Sequence, residues 1–464
     1  MGPKCPDGDY YLKSQCFRRL VRRLNVISMR SLPSIACLLT VSAVQATISP
    51  GSLVTISGAV DVNSQSAWWN PLDEYGGYQW LAYLRNPLSG STANNNVMVA
   101  RRSNSDGTIS RDCVKTSSGD CAVFVDDSGH NTPSIAVDGD GYVHVFTSMH
   151  NEAWKYYRSS SPYSATLVDH SSEMPDPTVL ITYPVVKRDA DGNLWLIVRG
   201  EATTSGRGGY FYKYTTSSNT WARINIWAYR AGYSVYPDDI QFSTDGDVHI
   251  QWEWSKYPAS AVRHQGSYVR YTPSSGTYRS ASGAAVIPPL TQDTADIVYQ
   301  PLTSGETYSG DINASPVPAF QSAKLALYED SAGGVHINSA YRFANETDQL
   351  WQVRRATATF GTASPWKREI VYSDENTSAA IGVTHDGTTV RIYYCLASGS
   401  AWVLEKSGTS TWANQELTPA TGKKVRRLQA KMRSDGTDIL YLGAPNNVDA
   451  NTGSLYFLTV GGRA

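Results

Sequence analysis

HNTPSIAVDGDGYVHVFTSMH, residues 130–150, and YPVVKRDADGNLWLIVR, residues 183–199, follow one template. Each carries a Pro near its start, an apolar strand, a tight Asp/Gly turn and a second apolar strand. Runs of β-branched and aromatic residues on either side of a Gly-bearing turn are the mark of a β-hairpin. Polar residues stand at the outer ends: His130 and His150 flank the first hairpin, Tyr183 and Arg199 the second. The outer ends of a hairpin lie at one edge of the sheet, away from the turn. Two imidazoles, a phenol and a guanidinium can therefore converge although they are far apart in sequence.

The turn recurs: DGDG at 138–141, DADG at 189–192, TDG at 244–246, SAGG at 331–334, HDG at 385–387 and SDG at 434–436. The spacings between their last glycines are 51, 54, 88, 53 and 49 residues. A third strand follows each pair, as in WKYYR, YFYKY, SYVRY, LWQVR, WVLEK and LYFLT. The N-terminal part supplies one further unit from YQWLAYL and NVMVARRSNSDGT. Units of about fifty residues with several short strands each predict an all-β chain, a seven-bladed β-propeller of four-stranded antiparallel blades. A β-sandwich gives no reason for even spacing of the turn, and a β-helix needs a shorter period. The 88-residue gap predicts an insertion at about 254–320.

Composition agrees, with 29 Tyr, 13 Trp, 37 Gly and only 17% charged residues. Residues 29–46, MRSLPSIACLLTVSAVQA, read as a secretory signal peptide, residues 1–28 as an extension before it, and 47–464 as the propeller domain. The apolar run is too short to span a membrane, and no later run is longer. Beyond residue 46 there are 33 basic and 39 acidic residues, a net charge of −6, which speaks against nucleic-acid binding. An anionic substrate must then be met by a local cationic site. Secretion predicts a disulfide between Cys113 and Cys121 and makes Asn313, Asn345 and Asn376 candidate glycosylation sites. Cys395, in the apolar strand RIYYCLA, reads as buried and free. A monomer is expected. No Cys/His spacing suits zinc, and DGDG reads as a hairpin turn rather than a calcium loop, so neither a catalytic cofactor nor a structural calcium ion is supported.

The eight His divide by position. His144, His249 and His336 recur at one place in three hairpins, which marks them as structural, and His170 and His385 fall in loops or turns. His130 and His150 break the pattern, as do Tyr183 and Arg199. Tyr236, also just before a Pro, joins them on the next unit, and Arg263 and His264 precede a third strand. Removing a proton from the carbon beside a carboxylate requires a base, an acid for the leaving oxygen and a cation to offset the growing negative charge. The set supplies all three, whereas ordinary glycoside hydrolysis calls for a carboxylate pair that the sequence does not display.

In the motif HN-x-PSIAVDGDGY-x-H with His twenty residues on, and Tyr-Pro with Arg sixteen residues on, the chain resembles the propeller polysaccharide lyases, namely the ulvan lyases and the fungal rhamnosyl-glucuronate lyases. The resemblance covers the chain beyond residue 46. It implies a secreted lyase that cleaves an α-L-rhamnosyl-(1→4)-D-glucuronate bond by β-elimination in an acidic rhamnose-containing polysaccharide or oligosaccharide. It also implies base and acid roles for Tyr183 and His130, carboxylate neutralisation by Arg199 with His150 and Asn131, and a substrate contact from Tyr236; Arg263 and His264, by their place ahead of a third strand, are candidates either to hold substrate or to solvate a loop. Ulvan, a sulfated algal polymer, is the alternative substrate. A sialidase-like glycosidase and a carbohydrate-binding lectin are the alternative classes.

Overall fold

The computed structural model describes residues 48–61, 69–86, 94–125, 130–201, 205–257, 265–299, 319–344, 350–363, 365–418, 424–444 and 453–463. The expected leader at 1–46, Arg263, His264, Asn313 and Asn345 lie outside them. The described chain is an all-β propeller whose helical turns are short 3-10 segments at Ser171–Glu173 and Thr216–Ser218. No helix among the described residues is long and apolar enough to cross a membrane.

The inner strands are Leu72–Tyr75, Ser134–Val137, Leu180–Arg188, Tyr233–Phe242, Ala319–Glu329, Thr377–His385 and Arg427–Met432. Each packs beside the next, and the last packs beside the first, so they form a closed ring. From each the sheet runs outward by antiparallel pairing.

The repeat spacing predicts seven separate four-stranded sheets, and here the structure differs in both number and size. Strands combine into six sheets, one of them nine-stranded. The cause is a parallel pairing of Leu167–Asp169 with Ile109–Lys115, Leu167 opposite Val114, which fuses two antiparallel runs. The terminal sheet has five strands because Ser49–Pro50 and Val54–Val60 both pair with Gly453–Gly461. The expected insertion also shrinks. Gln265–Thr272 and Thr277–Arg279 are the third and fourth strands of an ordinary sheet, so extra chain begins only beyond them.

Bulky apolar side chains fill the spaces between sheets. Trp195, Phe211, Trp227, Trp252 and Trp254 form one such layer, and Phe146, Trp154, Tyr156, Tyr212 and Trp221 another. This explains why aromatics are so abundant in a chain with short strands: each ring removes roughly 150–250 Å² from water. The turns of the two quoted hairpins also touch. Gly139 N–H donates to Gly192 O at 2.9 Å, and Gly192 adopts φ +85°. A Cβ at either glycine would fall within 3 Å of the other's backbone, so the Gly in both turns is a packing requirement. Cys113 and Cys121 form the expected disulfide, and Cys395 is buried and free.

Two of the three repeating histidines, His144 and His249, sit in the core, while His336 is half-buried and bonds to Asp330 Oδ2 at 2.8 Å. His144 bonds to Tyr156 Oη at 2.7 Å and Asp138 Oδ2 at 3.1 Å, and His249 to Tyr268 Oη at 2.6 Å. Burial, reinforced by Arg270, pushes His249 down to about 3. Burial and Arg355 push His385 down to about 4. The folded state keeps both neutral, while the unfolded chain takes up their protons near pH 6.5, so the unfolded state binds more protons below that pH. Stability therefore falls as pH drops from about 6.5, by roughly 1.4 kcal/mol per pH unit for each group. Urea titrations at pH 7 and pH 5 are expected to show this loss, with a shallower slope in His249→Gln. An unchanged slope in that variant removes His249 from the account.

Candidate active site

His130 lies just ahead of the inner strand Ser134–Val137. His150 opens the short strand His150–Glu152, which pairs with Leu180–Arg188 of the next sheet, His150 opposite Thr182. Left-handed backbone at Ser148 (φ +54°) and Asn151 (φ +55°) flanks that crossing. The crossing lays the two imidazoles face to face, with ring centres 3.8 Å apart and planes 4° from parallel.

Tyr183 sits in a bulge. Thr182 pairs with Arg199 and Val185 with Ile197, so Tyr183 and Pro184 interrupt the ladder. Its φ of +56° is rare for a residue with a Cβ and carries a conformational cost. Bulges of this kind redirect a side chain. Here the redirection brings Tyr183 Oη to 3.1 Å from His130 Nε2, a shared hydrogen bond. The ring packs edge-on to Trp69 at 5.3 Å and against Tyr236 at 5.1 Å. Tyr236 stands in the same Tyr-Pro setting one sheet on, and its inner strand also bulges, between Pro237 and Asp239.

Arg199 ends the apolar run of its strand opposite Thr182. Its guanidinium carbon lies 4.6 Å from the Tyr183 ring centre and 5.0 Å from that of Tyr236. Its Nη2 donates to Thr182 Oγ1 at 3.2 Å and to Asn151 Oδ1 at 3.3 Å. Arg199 is 2% exposed and Tyr183 4%, whereas His130 and His150 are half-buried. The site thus grades from a buried cation to partly open imidazoles. A cation held against aromatic faces at low local dielectric acts on nearby negative charge far more strongly than it would in water.

Five of the sequence candidates, His130, His150, Tyr183, Arg199 and Tyr236, therefore meet at one mouth of the ring, at the strand ends remote from the Asp/Gly turns. Asn131 does not join them. Its amide is buried and donates to Asn95 Oδ1 at 3.0 Å and Val125 O at 2.7 Å, so it braces the loop that carries His130. Asn376 is exposed, and its Oδ1 accepts from Trp351 N–H at 2.8 Å.

Sequence reasoning passed over Trp69, Asn151, Thr182 and Glu253. Glu253 had a signal: it occupies the place in its hairpin that Arg199 occupies in the one before, and it lies opposite Tyr236. It is fully buried near Asp238, whose carboxyl is pushed well up by burial and then by the Glu253 charge.

A cavity of about 260 Å³ opens at the turn end of the ring, among Asp73, Lys187, Arg188, Gln241, His385 and Lys431, away from the catalytic candidates. Burial would raise the Asp73 carboxyl, but Lys431 and Arg188 hold it below the usual carboxylate range. Asp73 forms ion pairs with both at that end of the ring. Among the described residues no three His, Cys, Asp or Glu side chains are grouped as a metal ion would need.

A closed ring of β-sheets defines a β-propeller, and His130, His150, Tyr183, Arg199 and Tyr236 make one of its mouths the candidate site. The chain belongs to the BNR repeat-containing family, whose sequence profile matches residues 78–360. Its fold is similar to that of the polysaccharide lyase Uly1, with a TM-score of 0.61 at 14% identity over 89% of this chain and 99% of that one. It is also similar to a PL25 ulvan lyase bound to -[GlcA(1-4)Rha3S]-, with a TM-score of 0.58 at 13% identity over 87% of this chain and 95% of that one. At such identities the likeness speaks for the fold. No curated protein matches the chain in sequence.

Proposed function

We propose that this protein is a polysaccharide lyase that cleaves the α-L-rhamnosyl-(1→4)-D-glucuronate bond by β-elimination. The observation that carries the reading is the Tyr183 phenol set between His130 Nε2 and the Arg199 guanidinium. In a glucuronate the C5 proton and the C4 oxygen lie on the same side of the ring, so one group can serve both transfers. Tyr183, as phenolate, takes the C5 proton. The C4–O bond breaks as the C4=C5 double bond forms, and the phenol returns its proton to the leaving oxygen. Arg199, with His150, offsets the charge that grows on the carboxylate. His130 orients the phenol and shares its proton.

The fold likeness to two polysaccharide lyases supports the class. The leader-like stretch 29–46 and the Cys113–Cys121 disulfide support secretion.

A second reading has one observation in its favour. Tyr236 and Glu253 are cross-strand partners, and a Tyr/Glu pair is what a sialidase-like hydrolase would use. Complete burial of Glu253 beside Asp238 favours a structural role instead. Incubation with gum arabic and with ulvan separates the readings. Ultraviolet absorbance from an unsaturated uronate supports the lyase. Reducing sugar without absorbance supports the hydrolase, and binding with neither supports a lectin.

A further inference from the structure

We infer that Asn151 is a positioning residue that holds the Arg199 guanidinium through a neutral amide oxygen rather than a carboxylate. This rests on the reading that Arg199 meets the substrate carboxylate.

Asn151 is reached only by the strand that crosses from one sheet to the next. Its backbone N–H donates to Thr182 Oγ1 at 2.8 Å, and Thr182 Oγ1 stands 3.2 Å from Asn151 Oδ1. Both oxygens accept from Arg199 Nη2. Thr182 is wholly buried and is the cross-strand partner of both His150 and Arg199. The dipeptide His150–Asn151 thus does two things at once: His150 stacks on His130, and Asn151 holds Arg199. Any shift of this crossing strand moves the imidazole pair and the guanidinium together.

The amide matters for its charge as well as its reach. A carboxylate at position 151 would keep the hydrogen-bond geometry but bring a negative charge within about 3 Å of Arg199. That charge would compete with the substrate for the same cation. The left-handed backbone at Asn151 admits Gly and Asp as well as Asn, so substitutions can be chosen that leave the chain path intact.

The experiment compares Asn151→Gly and Asn151→Asp with the wild-type protein. Calorimetric binding of a rhamnosyl-glucuronate oligosaccharide released from gum arabic is measured beside KM and kcat for its elimination. Asn151→Gly removes the two hydrogen bonds that Asn151 Oδ1 accepts, from Arg199 Nη2 and Thr182 Oγ1, and is expected to weaken binding by about 10- to 100-fold, while the left-handed backbone at 151, which favours Gly, limits the loss of thermal stability. Asn151→Asp is expected to be at least as stable and to bind more weakly than Asn151→Gly, with the loss carried by KM. A purely structural role predicts the reverse order, since Asp is the closer mimic of Asn in shape. Equal affinity in all three proteins, or tighter binding by Asn151→Asp than by Asn151→Gly, overturns the inference. If the wild type binds the oligosaccharide without eliminating it and the variant order holds, the lyase reading falls and the role of Asn151 stands. A wild type that neither binds nor cleaves it removes both.

Discussion

Tyr183→Phe is expected to fold normally and to lose about 10³-fold or more in kcat on a rhamnosyl-glucuronate substrate, since each general acid or base transfer contributes roughly 10²–10⁴-fold. The substitution removes only the hydroxyl. The ring keeps its contacts with Trp69 and Tyr236, and the backbone at φ +56° is unchanged, so thermal stability should stay close to that of the wild type. His130→Gln serves as the companion variant. Where Tyr183 takes the C5 proton, His130→Gln is impaired less than Tyr183→Phe. A Tyr183→Phe protein with full activity beside an inactive His130→Gln would transfer the base role to His130. The two are hydrogen-bonded, so their single effects are not expected to add in the double variant.

Arg199→Met is expected to lower kcat/KM by about 10²–10³-fold, the scale seen when one preorganised charge-stabilising donor is removed. Met is chosen because its apolar stem fills the space between the Tyr183 and Tyr236 rings without placing a new polar group there. The decisive comparison uses a methyl-esterified uronate, in which the carboxylate charge is already gone. There the gap between wild type and Arg199→Met should shrink to within about tenfold, because the charge that Arg199 offsets is absent. A gap of equal size on free acid and ester would make Arg199 a packing residue. Arg199→Lys keeps the charge but loses the planar fork, and is expected to fall between the two.

Much of this architecture can be read from the chain because the repeating unit is local. A turn and its two strands span about twenty residues, so periodicity alone reveals them. What escapes is pairing between distant segments. Nothing in LVD at 167–169 announces a parallel partner at residues 114–115, and that single contact merges two sheets. The same division runs through the site. His130, His150, Tyr183 and Arg199 stand out because they depart from an established repeat. Thr182 and Asn151 do not, because their roles come from cross-strand register, which composition does not encode. Asn131 shows the opposite failing. The family resemblance implied a role beside His130 at the carboxylate, yet neighbours in an extended chain point to opposite sides, and its amide faces the interior.

The last sheet borrows its outer strand from the beginning of the chain, Val54–Val60 lying against Gly453–Gly461. Considered during biosynthesis, this pairing is a timing constraint. The sheets that carry Tyr183 and Arg199 are built from neighbouring segments and can assemble as soon as they leave the ribosome. The strand at 54–60 must wait for a partner made hundreds of residues later, on the order of 20–80 s at roughly 5–20 residues per second. Throughout that interval its backbone donors and acceptors are an open edge able to pair with another nascent chain. The fold is therefore exposed to misassembly until its final strand is synthesised.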